Sequence, residues 1–267
     1  MTAPAPPGGQ PVTVVTGASS GLGVDFARLA AADGHPLMLV ARRADRLEAL
    51  AATLRQDHGV AVTCHPADLA DAAQRADLAD RLAERPVATL VNNAGFGLRG
   101  RFHHLDPAEQ SAMVAVNIAA VTELARAVAP GMVARRAGGI LNVASTAALQ
   151  PGPGMAVYYA TKAYVLSFSE ALWAELRPYG VRVTALCPGP TATEFADRSG
   201  LADSVLFRPG SARVSDSARV AAAGWRALAR GRRVVVPGLP NRAYAAVSGL
   251  VPRRPVLAAV GRINDGR

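Results

Sequence analysis

The chain contains one lysine, Lys162, among 29 basic residues, and all the others are arginine. The two cations interchange where only charge is needed, but not where a compact ammonium must reach a nearby oxygen. Lys162 follows Tyr158 by four residues, in Tyr158-Tyr159-Ala160-Thr161-Lys162. On a helix this spacing puts the phenol and the ammonium on one face, a turn apart. A free tyrosine titrates near ~10 and is a poor base at neutral pH. An adjacent ammonium favours the phenolate and is expected to lower that value. Tyr158 could then give a proton to a carbonyl oxygen or take one from an alcohol. Ser145, 13 residues before Tyr158, has a hydroxyl that could hold the same oxygen. Tyr159 is out of step with Lys162 and is expected to pack or to line the pocket.

These residues need a scaffold, and the pattern around them supplies one. Short apolar runs, expected as strands, occupy 12–16, 37–41, 60–64, 89–92, 140–144, 181–187 and 234–237. Helical patterns separate them, at about 21–33, 44–57, 72–84, 106–135 and 157–176. The 106–135 segment opens on Asp106-Pro107-Ala108-Glu109, an N-cap, a proline suited to the first helical position and a capping-box acid. Uninterrupted apolar strands separated by helices imply a parallel sheet buried on both faces. The expected fold class is therefore α/β, a doubly wound Rossmann-type sheet of about seven strands with helices on both faces. One domain spans 12–238, with an irregular, lid-like loop at about 188–215. Residues 1–11 read as a disordered Pro/Gly-rich lead, without the basic and apolar regions of a signal peptide. Residues 239–267 form a basic Pro/Arg-rich tail without a strong strand or helix pattern.

The first expected strand ends in Thr16-Gly17-Ala18-Ser19-Ser20-Gly21-Leu22-Gly23. A Gly-rich turn leading into a helix N-terminus suits pyrophosphate, because the backbone comes close and the first N–H groups point at the anion. The second strand ends in Val40-Ala41-Arg42-Arg43, without the acid that would hold an NAD ribose. Two guanidinium groups there favour the 2′-phosphate, so NADP(H) is preferred and NAD(H) remains possible.

Together, the Gly-rich turn, Ser145 and Tyr158-x-x-x-Lys162 resemble the short-chain dehydrogenase/reductase superfamily, from residue 12 to about 195. Asn92-Asn93-Ala94-Gly95 is similar to the family's NNAG segment beside the cofactor. Asp68-Leu69 matches its adenine-contacting pair. Asn117 matches its fourth catalytic residue, which holds a water in a relay to the lysine. Pro188-Gly189, with Thr191 and Thr193, matches the segment that contacts the nicotinamide carboxamide and the phosphates. The resemblance also implies a hydrogen bond from Lys162 to the nicotinamide ribose. It further implies a homodimer or homotetramer built through the helices at 106–135 and 157–176. Within the family, the chain looks most like bacterial ketone and ketoacyl reductases and like long-chain acyl and steroid 17-keto reductases. Phe96, Leu149, Met155, Phe195 and Phe207 flank the site and could give the substrate an apolar wall.

The expected activity is NADP(H)-dependent interconversion of a ketone or ketoacyl carbonyl and a secondary alcohol, on a small molecule or one linked to a carrier or CoA. The alternatives are epimerisation or dehydration at a bound keto group, and a sensor or scaffold that binds NADP(H) without turnover. His103 and His104 have no third ligand placed with them, so no metal is expected. Cys64 and Cys187 suggest no disulfide framework, and a cytoplasmic location is the default. No run of about 18 uncharged apolar residues suggests a membrane span. Ten arginines and one acid, Asp265, lie from Arg219 onward, while residues 1–218 are balanced. That excess could meet an anionic carrier, an acidic protein or a membrane face. Nucleic acid is not expected, since the tail offers only Trp225 and Tyr244 for stacking.

Overall fold

The computed structural model describes residues 10–201, 204, 207 and 214–265. Most of the expected N-terminal lead, part of the expected lid and the last two residues lie outside the described residues. Strands and helices alternate along the chain: β1 (Val12–Thr16), α1 (Leu22–Ala32), β2 (Leu37–Ala41), α2 (Ala44–His58), β3 (Val62–Pro66), α3 (Ala72–Ala83), β4 (Val87–Asn92), α4 (Pro107–Val114), α5 (Ala120–Arg135), β5 (Gly138–Val143), α6 (Ala156–Leu176), β6 (Val181–Leu186), α7 (Phe195–Arg198), α8 (Ser217–Ala229), β7 (Val234–Val235), α9 (Leu239–Ser248) and α10 (Arg253–Asp265). The strands pair in the order β3-β2-β1-β4-β5-β6-β7, every pair parallel. The chain reverses direction across the sheet between β1 and β4, and ligands of such sheets bind beyond the strand ends there.

The strands between the edges β3 and β7 are largely buried on both faces, because neighbouring side chains alternate between two apolar layers. Val15 packs with Phe26, Leu39, Leu47, Val220 and Leu228, under α1, α2 and α8. Its neighbour Val14 packs with Leu78, Leu90, Leu124, Val128 and Met132, under α3 and α5. Fully burying one such side chain is worth about 1.5–3 kcal/mol. Within Pro107–Arg135 the most apolar 18-residue window has a mean hydropathy of 1.5. The apolar residues Val121, Leu124, Val128 and Met132 of this run are buried against the protein itself, as in a core helix.

Several boundaries differ from the sequence pattern for identifiable reasons. Gly59 ends α2 in the left-handed region, with φ 66°. The chain needs residues 60 and 61 to turn before it pairs, so β3 begins at Val62, opposite Leu37. β5 starts early because Gly138 already pairs with Val181. β7 pairs only at Val234 and Val235. The helix expected at 106–135 is interrupted by a π-helical turn, Ala115–Ala119. Such turns occur often at functional sites, and Asn117 is at the centre of this one. The tail, expected to lack regular structure, forms α9 and α10. Pro240 and Pro255 fall in their first turns, where a missing N–H costs nothing.

A buried polar chain crosses the layers. Asn92 Nδ2 donates to Asn142 Oδ1 at 2.9 Å, Asn142 Nδ2 donates to Ser169 Oγ at 2.9 Å, and Ser169 Oγ donates to Val165 O at 2.6 Å. It ties β4 and β5 to α6, the elements leading to Asn93, Ser145, Tyr158 and Lys162. Asn142→Ala leaves Asn92 and Ser169 short of partners in the core, and should cost about 1–3 kcal/mol. Urea unfolding followed by circular dichroism measures this, and an unchanged midpoint would show the chain to be energetically idle.

Candidate active site

The first turn is locked to the end of β4. Thr16 Oγ1 accepts from Asn93 N and Ala94 N, both at 3.0 Å, and donates to Val91 O at 3.2 Å. Asn93 Nδ2 donates to Thr16 O at 2.9 Å. Gly17 has φ 66°, and a Cβ there would come within 2.8 Å of Asn93 Nδ2. A Cβ on Gly23 would come within 2.2 Å of Gly17 O, so the start of α1 can lie against the turn only without a side chain. The N-cap of α1 is Gly21, with no capping side chain. The first N–H groups of the helix are therefore left to a ligand, and an anion suits them best.

The two arginines after β2 flank this turn. Arg43 Nη2 donates to Ser19 Oγ at 3.0 Å, and its Nη1 is 3.1 Å from Glu194 Oε2. Glu194 also pairs with Arg46 and Arg198. Its carboxyl is held below the usual range by Arg46 first and then by Arg43. Arg42 is largely exposed and reaches Asp68 Oδ2 only at 3.9 Å. A guanidinium tied to the phosphate turn and a freer one beside it suit an adenosine 2′-phosphate.

The reactive group lies across the sheet edge. Ser145 follows β5, and its Oγ accepts from Ala147 N at 3.1 Å. Tyr158 lies in the first turn of α6, with its ring 5.3 Å from that of Phe195. Lys162 is buried and donates from Nζ to Val143 O at 2.8 Å, with Nζ 5.9 Å from the centre of the Tyr158 ring. Asn117 Nδ2 donates to Phe96 O and to Thr161 Oγ1, both at 3.0 Å. A Cβ on Gly95 would meet Asn117 Oδ1 at 3.0 Å and Lys162 Nζ at 3.4 Å. The absence of a side chain there lets the amide and the ammonium approach each other.

Burial governs the ionisation of this group. It raises the Tyr158 phenol well above its ordinary value, more than the neighbouring Ser145 hydroxyl offsets. It lowers Lys162 from 10.5 to about 8. The expectation that Lys162 lowers the Tyr158 pKa therefore fails for the protein alone. The ammonium donates to the Val143 carbonyl, and the cost of charging a buried phenol outweighs what the ammonium offers it. The shift favours the neutral phenol.

These residues line a single cleft of about 710 Å³, which runs from the Gly-rich turn past Arg42 and Arg43 to Tyr158 and Lys162. It has room for a dinucleotide and a small substrate. A family model described as short chain dehydrogenase matches residues 11–203. The chain belongs to the short-chain dehydrogenase/reductase family. A very-long-chain 3-oxoacyl-CoA reductase of Laccaria bicolor is 37% identical over 177 residues, which cover 65% of this chain and 52% of that protein. The chain therefore matches only about half of that relative's length. A short-chain dehydrogenase from Sphingobium yanoikuyae, solved with NADPH, superposes with a TM-score of 0.82 at 38% identity, covering 90% of this chain and 93% of that one. A bulky-bulky ketone specific alcohol dehydrogenase from Comamonas testosteroni does so with a TM-score of 0.77 at 32% identity, covering 91% and 96%.

As in a dehydrogenase/reductase of this family, the expected nucleotide and reaction residues converge on the cleft. Gly17, Ser19, Ser20, Gly21, Leu22, Arg42, Arg43, Asp68, Leu69, Asn93, Ala94, Gly95, Pro188, Gly189, Thr191 and Thr193 all line it, with Ser145, Tyr158 and Lys162. Gly23 and Asn117 support that wall from behind. Of the expected apolar residues, Phe96, Met155, Phe195 and Phe207 line it; Leu149, at the end of a 3-10 turn, is not among its lining residues. Tyr159 lines it too. His103 and His104 meet edge to face in an exposed loop, and the described residues hold no cluster of three metal-ligating side chains. The sequence reading missed Leu98, Leu201 and Asn264. The last comes from α10, whose apolar spacing Val256, Val260 was a faint signal among proline and arginine.

Lys162 should leave a pH signature in stability. Its folded pKa, about 8, lies below its unfolded value of about 10.4. The unfolded chain therefore binds more protons between these values, and the cost of burying the ammonium is relieved as pH rises through that window. The stability of the wild type relative to Lys162→Met should rise from about pH 8 to about pH 10.4. Chemical denaturation of both proteins at several pH values tests this, and a flat difference would place the ammonium in water.

Proposed function

We propose that this oxidoreductase interconverts a ketone or ketoacyl carbonyl and a secondary alcohol with NADP(H), with Tyr158 as the acid/base. The observation that carries the reading is the buried Tyr158 beside Ser145 and Lys162, at the end of a cleft that begins on an uncapped helix N-terminus. The nicotinamide, when bound, supplies or accepts the hydride. The Gly-rich turn and the first N–H groups of α1 hold the pyrophosphate. Arg42 and Arg43 take the 2′-phosphate, and Glu194 gives up part of its hold on Arg43 to admit it. The NADPH complex of the Sphingobium relative and the ketone named for the Comamonas relative support these assignments.

The protein's own groups divide the proton chemistry. Ser145 donates to the carbonyl oxygen and orients it towards the phenol. Tyr158 gives its proton to that oxygen as negative charge develops there, and takes it back in the alcohol-oxidising direction. A nearby ammonium stabilises the phenolate left after each reduction. Lys162 is poised to recover a proton near neutral pH, and Asn117, beside it across Gly95, lies on the path inward. The apolar wall of Phe96, Met155 and Phe195 keeps water from the oxygen.

Tyr158→Phe should lower ketone-dependent NADPH oxidation by about 10²- to 10⁴-fold while NADPH binding, read by fluorescence titration, stays near wild type. Retained turnover would remove Tyr158 from the acid/base role. Arg42→Asp should reduce the NADPH-over-NADH ratio of kcat/KM by roughly 10- to 100-fold, the worth of a charged hydrogen bond. An unmoved ratio would overturn the NADP(H) preference, and product formation without net cofactor oxidation would favour epimerisation or dehydration.

A further inference from the structure

Three buried side-chain polar atoms have no hydrogen-bond partner among the described residues: Gln110 Oε1, Ser204 Oγ and Asn264 Oδ1. Of these residues, Asn264 alone lines the cleft. It is in the last turn of α10 and is 1% exposed. One turn earlier, Val260 is buried in the cluster that holds Met155, Tyr158, Tyr159 and Leu201, with Val256 packed against it. Asn264 thus brings the end of α10 to the wall of the cleft, with Val260 and Val256 packed behind it.

The orientation of the amide follows from its surroundings. Asn264 Nδ2 donates to Pro153 O at 2.8 Å. A main-chain carbonyl can only accept, so the nitrogen belongs there and the oxygen is left over. Tyr159 feels the carboxamide. Burial raises its phenol, and the Asn264 and Gln150 side chains pull it back, but Oδ1 itself has no partner. The helix end is held by its backbone. Arg99 Nε donates to Asn264 O, and Arg99 Nη1 donates to Gly200 O at 3.0 Å. The position is thus fixed independently of what Oδ1 does. A bare acceptor in an apolar pocket is costly unless a ligand satisfies it.

We propose that Asn264 is a specificity-determining residue: its Oδ1 accepts a hydrogen bond from the substrate, so preferred ketones carry a hydroxyl or N–H group remote from the reacting carbonyl on an otherwise apolar frame. This rests on the carbonyl-reductase reading above. It adds a substrate class, apolar ketones with one distal donor, and assigns its recognition to the C-terminal helix.

The test compares two aryl alkyl ketones that differ only in a distal ring substituent, hydroxyl against methyl, at saturating NADPH. Wild type should favour the hydroxyl compound by roughly 10- to 100-fold in kcat/KM, mostly through KM. Asn264→Leu should erase or invert this preference. Asn264→Asp, which keeps an acceptor, should retain it. Equal discrimination in wild type and Asn264→Leu, or none in wild type, overturns the proposal. If neither ketone is reduced, the carbonyl-reductase reading fails. Calorimetric binding of the same pair to the NADPH-loaded wild type and variants then decides the Asn264 proposal by the same preference and its loss.

Discussion

The site depends on the buried amide chain from Asn92 through Asn142 to Ser169. Parallel strands that are apolar on both faces can slide in register with little change in hydrophobic burial. Polar groups in the core cannot, because any slip leaves a desolvated donor or acceptor unpaired. Asn92 and Asn142 are direct register partners on β4 and β5, and Ser169 brings α6 to the same point. Three segments that arrive from distant parts of the chain are thereby fixed together. The loop after β4, the serine after β5 and the Tyr158–Lys162 face of α6 then meet at one sheet edge.

The same burial that orders the site sets its electrostatics. A low-dielectric pocket opposes both a phenolate and an ammonium, so Tyr158 rises and Lys162 falls. In the proposed reaction both shifts have a use: the phenol would keep the proton to be delivered, and the ammonium would titrate where it can exchange one. Gly95 and the π turn around Asn117 are the backbone devices behind this arrangement. One removes a Cβ, and the other places a buried amide beside the cationic nitrogen. At the opposite end of the cleft, Glu194 binds Arg43, Arg46 and Arg198 and is followed directly by Phe195, which packs on Tyr158. The arginines at the nucleotide end and the ring over the phenol are therefore linked through one short helix.

The elements that could be read in advance were those with local causes. Apolar strands with glycine turns give their positions away, and Asp106, the expected N-cap, accepts a backbone N–H at its helix start; α8, capped by Asp216, was not among the expected helices. The YxxxK spacing is likewise local, since it needs only a helix to bring two side chains together. α9 and α10 were less legible, because their prolines and arginines argue weakly for helix and their order comes from packing on Tyr159, Gln150 and Pro153. Leu149 shows the opposite error: it is near Ser145 in sequence, but the 3-10 turn after Ser145 keeps it out of the cleft lining.

The sequence by itself determined the family, the doubly wound sheet and most of the side chains that meet at the cleft. All of these depend on residue type and on spacings of a few positions along one element. Tertiary structure alone decided the ionisation of Tyr158 and Lys162, the tie between Arg43 and Glu194 and the entry of Asn264 into the pocket. Those depend on distances between segments up to 165 residues apart, as in the Arg99–Asn264 contact, and on how much water the fold excludes from each group. The lone lysine illustrates both halves. Its place in the chain marked it as functional, while its lowered pKa and its bond to Val143 came only with burial.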